Sequence, residues 1–290
     1  MKTDRVFGEL ITCKSTKGLH LDGLLYQSDS NRITIVHVHG SFGNFYQNQF
    51  VRLMARRYMQ AGINFFSFNL AGHDGFGEGY RNVDDFEYVG GGVSDFSECI
   101  ADIEGAIVFA KDFSDRVVLQ GHSLGCDRIL HYLIKTHSRH DLILLSPCDS
   151  YQLQCNWIYP ETVEQQISRL KNETTSAKLD WLPLEEYGIK QGEWTYPIPV
   201  TRAALLSIME GPPFKLMNLS RPSEFYLDQR ALVYIGGKDL LQTAPSDVMY
   251  GYLEKRIRDV RRAYFDEGDH NLAGCEGELI ETILSWIRGE

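Results

Sequence analysis

Gly121-His122-Ser123-Leu124-Gly125 lies between a strand-forming run, Val117-Val118-Leu119-Gln120, and a stretch from Leu124 to about Thr136 that reads as a helix. The pentapeptide has the form G-x-S-x-G. In a strand-then-helix setting this form predicts a sharp, strained turn. Small residues two positions to either side of the serine let the flanking backbones pass closely, and the hydroxyl is exposed at the head of the helix. A Gly-Ser-Gly turn alone would be an uninformative match. The strand before it and the helix after it make Ser123 the candidate nucleophile.

Working outward, the chain opens with two strand signals, Val6 to Thr12 and the alternation Leu19, Leu21, Gly23, Leu25, read as an antiparallel hairpin. Short apolar runs then alternate with helices. Ile33–Val38, Ile63–Phe68, Arg116–Leu119 and Leu142–Leu145 are strands. Helices are expected from about Phe45 to Gln60 and along Phe96, Cys99, Ile103, Ile107 and Ala110 after a Ser94 or Asp95 cap. The alternation returns with strand Ala231–Ile235, helix Asp247–Arg256, strand Arg262–Phe265 and a last helix burying Leu279, Ile280, Ile283, Leu284 and Ile287. This predicts an α/β fold, a mostly parallel central sheet flanked by helices. Residues 148–229 break the alternation. They are expected to form an inserted lid, with residues 1–147 and 230–290 as the core. Within the lid, helices are expected from Pro160, with Val163, Ile167 and Leu170 inward, and from Thr201 to Glu210, ending at Gly211-Pro212-Pro213.

A serine hydroxyl needs a base. His270, in Glu267-Gly268-Asp269-His270-Asn271 after the last strand, is the candidate. The base needs an acid to set its tautomer. Asp239, in Gly236-Gly237-Lys238-Asp239, is preferred, and Asp149 is the second candidate. Asp269 reads as a helix-start residue. The oxyanion needs backbone donors: the Leu124 N–H at the helix N-terminus and the Ser41 N–H in the loop His39-Gly40-Ser41-Phe42-Gly43-Asn44. Phe42, His122, Trp157, Trp181 and Trp194 are expected to line the substrate pocket. Three of the four tryptophans fall in the lid, and apolar pockets are rich in aromatics. His37 and His39 share one side of a strand but have no third ligand nearby, so His39 is expected to tie down its loop rather than bind metal. Gly90-Gly91-Gly92 lacks the lysine and preceding strand of a phosphate loop and reads as a flexible hinge.

His39–Asn44 (HGSFGN), Gly121–Gly125 (GHSLG), Gly236–Asp239 (GGKD) and Gly268–Asn271 (GDHN) together resemble the α/β-hydrolase superfamily over nearly the whole chain. The HG-x-x-G-N form is similar to feruloyl-esterase-like and siderophore-esterase-like members. The stretch Asn69 to Gly77 resembles the loop after the fourth strand but departs from the usual R-G-H-G-x-S. The resemblance implies a lid-bearing serine esterase that needs no cofactor.

Composition agrees with a small-molecule enzyme. The chain has 290 residues and a net charge of −10, which repels nucleic acid. It carries no apolar run of membrane-span length and no signal peptide at Met1, so a cytoplasmic location is expected, with a homo-oligomer left open. Six scattered cysteines without a C-x-x-C pair read as free thiols. The function expected is cleavage of an ester, thioester or amide of a bulky or aromatic small molecule. Acyl transfer, C–C hydrolysis, a lyase reaction or a non-catalytic ligand receptor are the alternatives, because a fold does not dictate its chemistry.

Overall fold

A computed structural model of the chain describes residues 7–29, 32–158, 160–172, 179–182, 189–191, 194–196 and 199–289. Its strands are β1 (Glu9–Lys14), β2 (His20–Tyr26), β3 (Ile33–Val38), β4 (Asn64–Phe68), β5 (Gly77–Asn82), β6 (Asp85–Val89), β7 (Arg116–His122), β8 (Asp141–Leu145), β9 (Ile189–Gln191), β10 (Trp194–Tyr196), β11 (Leu227–Gly236) and β12 (Ile257–Phe265). Eight of them form one sheet in the order β1-β2-β4-β3-β7-β8-β11-β12. The opening hairpin is antiparallel and β2 pairs antiparallel with β4. Every later pairing in the sheet is parallel.

Successive side chains of a strand point to opposite faces, and both faces here are covered. In β8, Leu142 and Leu144 enter one apolar cluster while Ile143 and Leu145 enter another. Helices α2 (Cys99–Lys111), α3 (Leu124–Thr136) and α8 (Ser246–Glu254) cover the first face. Helices α1 (Gln49–Gln60) and α9 (Glu276–Arg288) cover the second. Burial on both faces is why these strands read as unbroken apolar runs in the sequence.

Between β8 and β11 the described residues form α4 (Ser150–Ile158), α5 (Val163–Asn172), α6 (Arg202–Met209) and α7 (Pro212–Leu216). They share a small core of Val163, Leu170, Leu182, Val200, Ala204, Met209 and Phe214. The Thr201 hydroxyl caps α6 by accepting from the Ala204 N–H at 3.3 Å. The helix ends ahead of Gly211-Pro212-Pro213 as expected, and the two prolines also open α7, where a missing N–H is tolerated.

Three differences from the sequence expectation have simple causes. β12 starts at Ile257 rather than Arg262, because the early half of this edge strand is charged and exposed. The hairpin β5–β6 was not anticipated: its inner face is built on Gly77 and Gly79 and so shows no apolar alternation. A Cβ on Gly79 would lie 2.5 Å from Val89 and 2.8 Å from Leu19. Gly90–Gly92, read as a hinge, is a hydrogen-bonded turn. Its Gly90 N–H donates to Ala71 O at 2.6 Å, and the Gly92 carbonyl accepts from Thr201 N–H at 2.7 Å. All six cysteines are unpaired. Among the described residues no helix is long and apolar enough to cross a membrane.

Candidate active site

The parallel strands β3, β7, β8, β11 and β12 end at one edge of the sheet, where ligands of such sheets usually bind. β7 ends at His122 and α3 begins at Leu124, so Ser123 alone makes the turn. It does so with φ 54° and ψ −126°, a conformation that costs a non-glycine residue about 1–3 kcal/mol. The strain is held in place from both sides. Ser123 N–H donates to Leu145 O at 2.9 Å, and Cys126 N–H donates to Ser123 O at 2.8 Å. Glycine is obligatory beside it: a Cβ on Gly125 would stand 2.2 Å from Val38 O, and one on Gly121 2.6 Å from Gly125 O.

His270 follows β12. Its Nδ1–H donates to both carboxylate oxygens of Asp239, at 2.9 Å to Oδ2 and 3.1 Å to Oδ1. The Asp239 side chain is fully buried. Burial works to raise its carboxyl, but the hydrogen bond and charge of His270 outweigh it, and the group is held below the usual carboxylate range. The two turns are tied directly: Lys238 N–H donates to Gly268 O at 2.9 Å and Gly237 N–H to Phe265 O at 2.8 Å. Asp149 is occupied elsewhere. Its oxygens accept from the N–H of Gln152 at 2.9 Å and of Leu219 at 3.0 Å, which caps α4 and anchors the segment after α7.

Three side chains from strand ends grip the His270 loop by its backbone. His122 Nε2–H donates to His270 O at 2.8 Å, Ser146 Oγ–H donates to the same oxygen at 3.0 Å, and Tyr234 O–H donates to Asp269 O at 2.9 Å. His122, expected to contact substrate, is thus corrected: it is 4% exposed and lies beneath the site. Burial, then the neighbouring His270, pushes it down to about 3, so it stays neutral with its proton on Nε2. Asp269 is also corrected. Its carboxylate accepts from Asn271 and Ala273 N–H in a turn ahead of α9, rather than starting that helix. The Nε2 edge of His270 forms no hydrogen bond among the described residues.

The loop after β3 is braced throughout. Asn44 Nδ2–H donates to Asp74 at 2.8 Å, and its Oδ1 accepts from the N–H of Tyr46 and Gln47. His39 Nδ1–H donates to Gly40 O at 2.9 Å and its Nε2 accepts from Leu70 N–H at 3.2 Å. With both ring nitrogens engaged, His39 ties the loop down as expected. Among the described residues no group of three or more His, Cys, Asp or Glu could hold a metal. Ser41 and Leu124 line one small cavity of about 40 Å³, with Phe42, Leu70, Phe96, Ile208, Asp95, Asp102 and Arg128 among its other walls. Phe42 has φ 51° and packs its ring on Gly91.

Of the expected tryptophans, Trp181 is 37% exposed. It packs edge-on against Phe76 with ring centroids 5.4 Å apart, and it is not among the residues lining that cavity. The side chains of Trp157 and Trp194 lie outside the described residues. Ser146, Tyr234 and Arg128 were missed by the sequence reading. Only Arg128 leaves a signal there, as a charge within the apolar run of α3.

No protein-family model and no curated protein matches the chain. Solved structures do. A siderophore hydrolase, EstB, from Aspergillus fumigatus is similar at 14% identity, with a TM-score of 0.66 over 100% of this chain and 99% of that one. Est1E from Butyrivibrio proteoclasticus, solved with ferulic acid bound, is similar at 12% identity and TM-score 0.62, over 96% of this chain and 98% of that one. The esterase Pf2001 from Pyrococcus furiosus is similar at 14% identity and TM-score 0.57, over 98% of this chain and 91% of that one. Identities this low speak to architecture. From its sheet order, its strand–serine–helix turn and these full-length likenesses, the chain has the α/β-hydrolase fold.

Proposed function

We propose that the chain is a serine hydrolase cleaving an ester or related acyl bond of a small molecule, with Ser123 as nucleophile, His270 as base and Asp239 as acid. The observation that carries this reading is the two-oxygen grip of Asp239 on His270 Nδ1, beside a serine held at positive φ. Asp239 keeps the proton on Nδ1, which leaves Nε2 as a lone-pair acceptor for the serine proton. Ser123 Oγ then attacks the carbonyl carbon. The carbonyl oxygen takes up negative charge and is met by the N–H groups of Ser41 and Leu124. His270 passes its proton to the departing alcohol, and water repeats the sequence on the acyl-enzyme. No cofactor is needed.

The leaving group must face His270 to receive its proton. The cavity bounded by Ser41 and Leu124, and not by His270, therefore takes the acyl group. Its apolar walls, Phe42, Leu70, Phe96 and Ile208, suit the apolar part of an acyl group, and its size as it stands suits a small one. The segment between β8 and β11 acts as the lid, ending at about residue 226 rather than 229 because Leu227 already pairs with Ile257 in the sheet; Ile208 of α6 closes one side of that cavity. The ferulic acid of the Butyrivibrio structure and the siderophore hydrolase make aryl esters and siderophore esters the first substrates to try.

The test is turnover on an ester panel beside labelling by a fluorophosphonate. Wild type should hydrolyse at least one ester and label at Ser123. Ser123→Ala should stay folded, fail to label and lose about 10⁴-fold or more in kcat. Retention of a tenth of the wild-type kcat in that variant would end the assignment.

A further inference from the structure

The chemistry above leaves the buried guanidinium of Arg128 without a role. Arg128 is 5% exposed and lies beneath the loop that carries Ser41. A buried cation is costly unless it is well hydrogen-bonded. Its hydrogen bonds go to backbone carbonyls of that loop: Nη1 donates to His39 O at 2.9 Å and to Gly40 O at 3.2 Å. Nη2 lies 3.5 Å from Gly72 O. A Cβ on Gly72 would come within 3.0 Å of Nη2, so the glycine keeps the guanidinium's space open.

The Gly40 carbonyl belongs to the same peptide unit as the Ser41 N–H. A trans peptide is planar, with its C=O and N–H pointing in opposite directions. Whatever holds the Gly40 oxygen therefore aims the Ser41 N–H away from itself. Arg128 holds it from below, together with His39 Nδ1–H and, within the loop, the Gly43 N–H at 3.3 Å; of the three only Arg128 brings a full charge. A cation on the oxygen also polarises the amide and strengthens its N–H as a donor. The helix geometry explains how the side chain arrives there. Arg128 is one turn after Leu124 on α3, on the same face, and helical side chains lean toward the N-terminus.

We infer that Arg128 is a positioning residue for the oxyanion site: through the Gly40–Ser41 peptide it aims and polarises the Ser41 N–H. One helix then supplies the Leu124 donor itself and orients the other. This rests on the reading of Ser41 as an oxyanion donor given above.

The experiment compares wild type, Arg128→Lys and Arg128→Met by kcat and KM on a short ester, by fluorophosphonate labelling rate at Ser123, and by Tm. Lysine keeps the charge but loses the planar fork that reaches two carbonyls. The expected order of kcat is wild type, then Arg128→Lys, then Arg128→Met. Arg128→Met should lose about 10- to 100-fold, and KM should stay within about threefold of wild type in both. Labelling should fall in parallel with kcat, since phosphonylation uses the same donors. If Arg128→Met does not fold, Arg128→Lys decides the matter by the same criteria. Wild-type kcat and labelling in a folded variant, whatever its Tm, would overturn the inference. So would a loss confined to KM, which would make Arg128 a substrate contact. A wild type that neither turns over esters nor labels at Ser123 sinks the functional reading and this inference with it. A wild type that labels beside an unimpaired Arg128→Lys sinks this inference alone.

Discussion

Asp239 and Asp149 show how much of a residue's role depends on which groups its loop brings within reach. Both follow a strand and both could reach a histidine at this sheet edge. Asp149 spends its oxygens on the N–H groups of Gln152 and Leu219. Both oxygens of Asp239 accept from His270, while Oδ1 also accepts from Leu241 N–H at 2.9 Å and Oδ2 from Gln242 Nε2–H at 3.2 Å. Asp239→Asn should therefore disturb the histidine tautomer and lower kcat by about 10⁴-fold. Asp149→Asn should change kcat by less than about tenfold while lowering stability by about 1 kcal/mol, since the amide keeps one acceptor oxygen and leaves one of the two backbone N–H groups without its partner. The two variants, assayed side by side on one ester and melted in one buffer, check both statements. A dead Asp149→Asn beside an active Asp239→Asn would redraw the triad.

At the scale of elements, hairpin β5–β6 and the segment between β8 and β11 meet at Trp181 and Phe76. Trp181 also bridges its backbone to Thr201, just ahead of α6. This makes Trp181 a tie between elements more than a wall of the cavity. Trp181→Ala should cost about 0.5–1.5 kcal/mol for the lost ring pair, and somewhat more for lost area. It should lower kcat/KM for a short acetyl ester and a bulky aryl ester in the same proportion. A loss selective for the bulky ester would return Trp181 to the pocket, through binding energy spent at the reacting centre. The hairpin itself was hidden from the sequence reading because its inner face is glycine. The apolar run of a strand was replaced there by absent side chains.

Across the whole molecule, pH acts through the buried charges. Asp102 on α2 is buried beside Cys99 and the cavity, and burial pushes its carboxyl from 3.8 up to about 7. Between those values the folded protein holds a proton that the unfolded chain releases. Stability therefore falls as pH rises through that window, by up to about 4 kcal/mol for a shift of this size. The net charge of −10 acts in the same direction through self-repulsion. Asp102→Asn keeps an oxygen for the Ala71 N–H, which Asp102 accepts at 2.8 Å, and removes the ionisation. Its Tm should decline less than that of wild type from pH 5 to pH 8. Parallel declines would show that Asp102 does not titrate in this range.

The features written in short stretches of chain were decided by the sequence alone. The turn at Gly121–Gly125 needs only its two glycines and the strand and helix beside it. The strand–helix alternation needs only apolar residues in runs and at helical spacing, because burial on both faces of a sheet leaves that mark on every strand. The order Ser123, Asp239, His270 follows from the same local motifs. The tertiary structure decided what depends on contacts between distant residues. Arg128 and Gly40 are 88 residues apart, and His122 and the carbonyl it holds at His270 are 148 apart. No local pattern records which carbonyl a buried side chain will meet. A polar residue inside an apolar run looks the same whether it faces substrate, as was expected of His122, or props up the loop that does. Which of two aspartates reaches the histidine is likewise set by the loops that fold back over the strand ends, which bring Asp239 to His270 Nδ1 and turn Asp149 toward Gln152 and Leu219.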